Sequence, residues 1–272
     1  MVNLKTFFTV LCFAFTGMVF AQSPDKGIFV DPATIDFNLL NGQSGTAKVK
    51  IINQMDVKKQ FKIYLNDWQR DTLGRHSYVD PGTLPISCSR WISLDRNFVE
   101  LNPGEMTDVT VKLTIPDSAE AVRGMHWSML FIETVEEKKA PAKVNGVVTS
   151  VQTSYRIGVH VYQTPPTKAA KEIQMLSFTA KPDTQDSVYR IEVKNIGDAQ
   201  VHCKGSIELL NTANGKKTKL KPIEFPMFPQ QVRYVDFVLP ASIAKGKYTV
   251  VAAVDAGEDV PLEAAEKTID IK

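Results

Sequence analysis

"WISLDRNFVELNPGEMTDVTVKLTIP", residues 91–116, sets a Pro103-Gly104 turn between two segments of strand character. After the turn, Val109, Val111, Leu113 and Ile115 alternate with Thr110, Lys112 and Thr114. A repeat of two is the pattern of a strand with one buried and one wet face. No acid, base or nucleophile stands out in it, so the stretch predicts antiparallel sheet without chemistry.

The same pattern extends on both sides. "TAKVKIINQ" puts Ala47, Val49 and Ile51 on one face, and "FKIYLNDW" does the same with Phe61, Ile63 and Leu65. Both read as half-buried strands. "GIFVDPATIDF" (27–37) reads as an entry strand broken at Pro32, which fits an edge or a bulge because proline cannot donate to a sheet ladder. "QRDTLGRHSYVDPGTLPISCSR" (69–90) is rich in Gly, Pro and Asp and predicts a loop-rich crossing with room for one short strand. "MHWSMLFIETV" is apolar nearly throughout, as in a strand covered on both sides. The charged, turn-rich "EEKKAPAKVNG" then leads into the longest alternation in the chain, from Val147 to Tyr162. About 16 residues at roughly 3.3 Å each would span about 50 Å, more than twice an ordinary strand. Such a strand outruns its own sheet or bends.

"QTPPTKAAK" supplies a stiff, proline-marked joint near Pro165 and Pro166. Beyond it the alternation restarts in seven segments from Glu172 to the end, separated by turn signals, which predicts a second antiparallel sandwich. "AEAVRGM" and "PASIAKG" are at most single helical turns. The expected fold is all-β, two immunoglobulin-like sandwiches in tandem, with residues 22–165 in the first and 166–272 in the second.

Lys5 precedes a mostly apolar run from Phe7 to Phe20 that ends in Val19-Phe20-Ala21. Residues 1–21 therefore read as a signal peptide with the mature chain starting at Gln22. No later stretch approaches about 18 apolar residues, so no transmembrane segment is expected in the mature chain. Cys12 lacks the small-residue context of a lipid-modified N-terminal cysteine. The 32 basic and 30 acidic side chains nearly balance, which points to neither nucleic acid nor an anionic membrane. Cys88 and Cys203 are the cysteines left after cleavage, far apart and in different expected domains. Two buried free thiols are the plain reading, and a bridge between them the alternative.

The ordered set "FVDPATIDFNL", "AKVKIINQ", "RWISLDRNFVELNPGEMTDVTVKL" and "VQTSYRIGVHVYQTPP" resembles the first immunoglobulin-like domain of the periplasmic pilus chaperones, the PapD-like family. The second half looks more like sandwich domains of bacterial surface proteins that bind wall polymers or other surface proteins. The resemblance implies a periplasmic chaperone that caps surface-fibre subunits by lending an edge strand, with an outer-membrane usher as a further partner. In such strand addition, main-chain hydrogen bonds supply affinity and alternate side chains supply specificity. On that reading Val147, Thr149 and Val151 meet the client; the alternative is that these side chains complete the domain's own core. The resemblance also implies an anchor for the client's terminal carboxylate, for which Arg156 is the candidate, although a solvated arginine on the wet face reads equally well. The arginine that the family carries on its first strand has no counterpart in "GIFVDPATIDF", and Lys26 just before it is a poor substitute.

His76, His126, His160 and His202 show no metal-ligand spacing, and no nucleophile, phosphate-loop or dinucleotide motif occurs. Neither a metal nor a cofactor is expected, and no enzymatic activity. Asp67 and Asp71 in "DWQRD" read as a strand exit rather than a catalytic carboxylate pair. Trp68, Trp91 and Trp127 read as core residues, with sugar stacking as the alternative. The competing functional class is a non-catalytic adhesion or scaffold module of the cell envelope that binds a wall polymer or a partner protein.

Overall fold

The computed structural model describes residues 27–135, 142–144, 147–149, 154–167, 169–182 and 187–271. The first domain contains β1 (Ile28–Asp31), β2 (Thr34–Phe37), β3 (Ser44–Asn53), β4 (Lys59–Arg70), β5 (His76–Val79), β6 (Ile92–Leu94), β7 (Phe98–Leu101), β8 (Met106–Thr114), β9 (His126–Val135), β10 (Ala142–Val144), β11 (Val147–Thr149) and β12 (Arg156–Gln163). One sheet has the order β1-β3-β8-β6. The other has the order β2-β12-β9-β4-β5, with β7 also paired to β4. Pro32 marks the point where the entry segment changes sheets: β1 pairs with β3, whereas β2 lies parallel to β12.

Alternation puts the buried faces of the two sheets against each other. Val49, Ile51, Val109, Val111 and Leu113 from one sheet meet Phe61, Ile63, Leu130, Ile132, Val159 and Val161 from the other, and Cys88 lies among them. The apolar β9 is buried on both faces, as its sequence predicts: Leu130 and Ile132 enter this core, while Trp127, Met129 and Phe131 enter a separate aromatic cluster.

The Pro103-Gly104 turn forms because Gly104 takes φ +75°, a left-handed conformation that glycine reaches without a Cβ clash. Glu105 N–H donates to Asn102 O at 3.0 Å, and the Glu105 carboxylate accepts the Asn102 N–H at 2.8 Å. Asn53, with no exposed surface, ties the turn to the sheet. Its amide donates to Leu101 O and Val57 O, its own N–H to Glu105 O, and its carbonyl accepts Gly104 N–H at 2.7 Å.

The long alternation from Val147 to Tyr162 is divided. β11 pairs with β10 as an antiparallel hairpin, Val144 opposite Val147, and β12 begins at Arg156. The sequence between them, Asn145-Gly146, is the dipeptide most favoured in two-residue hairpin turns, so residues 147–149 find their partner just upstream.

The second domain holds β13 (Ile173–Ala180), β14 (Val188–Asn195), β15 (Val201–Asn211), β16 (Lys217–Lys219), β17 (Ile223–Met227), β18 (Val232–Val238), β19 (Gly246–Asp255) and β20 (Glu263–Ile271). Its sheets have the orders β13-β14-β18 and β16-β15-β19-β20, with β17 also on β15. One of the seven expected segments, "KKTKLKPIEF" (216–225), splits into β16 and the start of β17. Ile191, Val193, Ile207, Leu209, Met227 and Val250 form the centre of its core, which also takes Cys203. Cys88 and Cys203 are free and buried, one per domain. Burial pushes each thiol up to about 12.

The second domain repeats the device that opens the first. Asn195, also without exposed surface, donates its amide to Ala199 O and Met227 O and its N–H to Gln231 O, and its carbonyl accepts Gln230 N–H. Pro229-Gln230-Gln231 thus stands where the first domain has Pro103-Gly104-Glu105, and Gln230 takes φ +62°.

Candidate functional site

Side chains along β12 alternate between two surroundings. Val159 and Val161 point into the first core and have no exposed surface. Arg156, Gly158, His160 and Tyr162 take the other face. A Cβ at Gly158 would lie 2.7 Å from Met129 Sδ, so the Met129 side chain of the neighbouring β9 lies against the strand at this point.

The main chain alternates too. Tyr155 O accepts from Thr134 N–H at 2.9 Å, which directs odd-numbered residues to β9. His160 N–H donates to Ala33 O at 3.0 Å and Thr164 N–H to Phe37 O at 2.9 Å, which directs even-numbered residues to the opposite edge. β2 covers that edge only over His160–Gln163. Arg156 and Gly158 aim their N–H and C=O groups at the remainder, where no strand lies among the described residues. Among the described residues that part of the edge is uncovered.

Of the residues that the sequence put in contact with a client, Val147 and Thr149 belong to β11, and Val151 lies outside the described residues, as does Lys26. Arg156 is exposed at the start of β12. Its guanidinium lies over Phe131 at 4.3 Å and Tyr78 at 5.3 Å from the ring centroids.

A second group of cations lies where the domains meet. Trp68, fully buried in β4, contacts Phe228 of the second domain at 5.0 Å between ring centroids, His76 at 4.8 Å and His160 at 5.2 Å. Trp127 joins the same cluster and donates its indole N–H to Trp68 O at 2.9 Å. Trp68 and Trp127 are core residues as expected, but the core they fill lies between the domains. The β4–β5 hairpin closes one side. Tyr234 N–H of β18 donates to Thr72 O at 2.7 Å, and a Cβ on Gly74, already at φ +81°, would fall 2.2 Å from the Arg233 guanidinium. On another side, Met125 N–H donates to Asp198 O at 3.0 Å.

Arg70, at the end of β4, lies over the Trp68 and Phe228 rings at 5.9 and 5.6 Å. Burial holds His160 below the ordinary histidine range, helped by His76 and Arg70, and holds His76 low together with Arg70. Burial lowers Arg233 as well, with Arg70 adding to it. Tyr162 is pushed up to about 12, first by burial. Four buried nitrogens around this point, Trp68 Nε1, Arg70 Nε, His160 Nε2 and Gln231 Nε2, have no hydrogen-bond partner among the described residues. No carboxylate among those residues is in salt-bridge contact with Arg70 or Arg233 either. Unpaired buried donors are costly, and guanidinium groups grip carboxylates through two parallel hydrogen bonds. The chemistry fits an anion.

None of Arg70, His76, His160 and Arg233 was legible as a site in the sequence. His76 and His160 are 5.8 Å apart between ring centroids, though no short spacing links them. Only the order β12-β9-β4-β5 and the return of β18 bring the group together. No group of three metal-ligating side chains occurs among the described residues. Asp67 is not a strand exit: it is buried within β4, accepting Leu84 N–H at 2.8 Å and the Ser87 hydroxyl.

No family model matches the sequence. No curated protein matches it either. Solved structures of pilus chaperones do resemble the chain in fold. The class 5 fimbriae chaperone CfaA is 14% identical with a TM-score of 0.46, over 89% of this chain and 98% of that chain. The DraB chaperone of E. coli is 13% identical with a TM-score of 0.44, over 89% and 98%. The CupB2 chaperone of Pseudomonas aeruginosa is 11% identical with a TM-score of 0.43, over 89% and 100%.

Proposed function

We propose that this protein is a periplasmic chaperone that caps surface-fibre subunits by adding a client strand to the outer edge of β12. The observation that carries the reading is the half-covered edge: β2 reaches only His160–Gln163, and no strand among the described residues covers the outward groups of Arg156 and Gly158. An open edge of this kind is an aggregation hazard unless something covers it, and a client strand does so with main-chain hydrogen bonds. Residues 147–151 precede the edge and would carry Val147, Thr149 and Val151 along the same client. The client's terminal carboxylate is assigned, rather than to Arg156, to Arg70, whose buried Nε has no partner among the described residues, and to Arg233, which spends one donor on Thr72 O at 3.4 Å and keeps the rest of its guanidinium for the anion. Arg156 already rests on two rings at the other end of the strand, where it serves the client's flank.

The test is recovery of the mature protein from its native envelope with whatever stays bound. Arg156→Pro removes the outward N–H at the start of the strand without touching a bond to β9, a position that proline tolerates. It is expected to reduce client recovery more than Arg156→Ala does, with the fold intact in both. Val147→Asp and Val151→Asp are expected to reduce recovery as well. Undiminished recovery in all of these, or retention on cell-wall polymer in place of a protein, would overturn the strand-addition reading in favour of the scaffold module.

A further inference from the structure

We propose that His76 and His160 make anion capture at the domain junction pH-dependent, so that acidification of the periplasm tightens the grip on a client's terminal carboxylate. The inference rests on the assignment of that carboxylate to Arg70 and Arg233 above.

The geometry supplies the coupling. The two imidazoles face each other across β12 and β5, and both lean on Trp68. Arg70 on β4 acts on both. Tyr162 on β12 stacks on His160 at 5.6 Å, and Asp36 of β2 acts on Tyr162. Tyr78 of β5 stacks on His76 at 6.0 Å. From β9, the neighbours of His160 are the uncharged Met129 and Trp127. From the hairpin, Asp71 is already engaged by Arg75 at 2.7 Å, and from β18 the charge is that of Arg233. The surroundings of the two histidines are therefore cationic or neutral, apart from Asp36 and the paired Asp71.

In that setting each histidine is neutral at neutral pH because burial and Arg70 both oppose its proton. A carboxylate held by Arg70 beside them offsets the part of that opposition that Arg70 supplies. Binding must then raise the histidine midpoints, and by reciprocity protonation must raise affinity for the carboxylate. Each full pH unit by which a midpoint rises corresponds to about tenfold in affinity. Affinity is expected to climb as pH falls from 7.5 to 5.5, then to decline near pH 4 as the carboxylate itself takes up a proton.

The experiment uses the whole mature protein with N-acetylphenylalanine, a minimal free C terminus, and its amide as the uncharged control. Calorimetry at pH 7.5 and 5.5 is expected to show the acid binding about tenfold tighter at the lower pH and the amide binding weakly at both. The His76→Gln, His160→Gln double variant is expected to give the same affinity at both values. Arg70→Gln is expected to lose binding at both. A wild-type affinity that does not change with pH, with Arg70→Gln still abolishing binding, would overturn the gating and leave the anchor standing. If acid and amide bind alike and Arg70→Gln changes nothing, the anchor itself falls. If the double variant does not fold, imidazole proton resonances of the wild type decide: His160 and His76 midpoints that stay put on saturation with the acid overturn the proposal.

Discussion

His76, His126 and His160 share one property: burial keeps each below the ordinary histidine range. In the unfolded chain they titrate near about 6.5. Between the unfolded and the lowered folded midpoints the unfolded state binds more protons, so stability rises with pH in that window and is lost as pH falls through it. The first prediction follows: urea midpoints measured without ligand should fall between pH 7 and pH 5. The carboxylates held low by cationic partners, such as Asp236 with Arg190 and Lys181, stay ionised over that range and leave the histidine contribution visible. A flat profile from pH 7 to 5 would contradict it. At this scale the sequence was a partial guide. Free thiols and buried tryptophans follow from apolar context, whereas the role of Asp67 does not, because its partners Leu84 and Ser87 come from a later loop. The cations at the domain junction were hidden for the same reason.

At the scale of elements, period-two alternation located nearly every strand, because a half-buried strand must alternate to have a core at all. It failed where local turn chemistry overrode it. The run from Val147 to Tyr162 has the parity of a single strand, yet Asn145-Gly146 lets residues 147–149 pair backwards with 142–144. It also missed the repeat of the Asn-and-turn device in the second domain, since Gln230 replaces the glycine that announces such a turn. Gln230 holds φ +62° there, a conformation that costs a side-chain-bearing residue roughly 1–2 kcal/mol. Gln230→Gly relieves that strain but gives the unfolded chain more freedom, worth roughly 0.5–1 kcal/mol in the opposite direction. The second prediction is thus a net gain of about 0.5 kcal/mol in the chain's unfolding free energy. Denaturant titration with an unchanged slope would establish it, and a loss of stability would mean that the Gln230 side chain does more than tolerate the turn.

For the whole molecule, the decisive feature is that the joint between the domains is built like a core. Phe228 of the second domain lies 5.0 Å from Trp68, 5.1 Å from Trp127 and 5.9 Å from Tyr162 of the first, and the backbone bonds Thr72–Tyr234 and Asp198–Met125 flank the cluster. Domains joined only by a linker move independently by default, whereas a buried aromatic interface couples their unfolding. The coupling matters for the proposed chemistry, because Arg70 and Arg233 come from different domains and only a fixed angle holds both at one anion. The third prediction is that the wild-type chain unfolds in a single calorimetric transition. Phe228→Ala, which deletes a ring shared by both sides at a cost of about 3–5 kcal/mol, splits it in two. Phe237→Ala is the control. Its ring is buried within the second core, so it should lower stability by a comparable amount while reporting on no interface ring. The two variants share the loss of one phenyl ring and differ in where it was taken from. If Phe228→Ala merely lowers a transition that stays single, as a core truncation would, the joint is not what couples the domains, and the shared anion site loses the rigidity it requires.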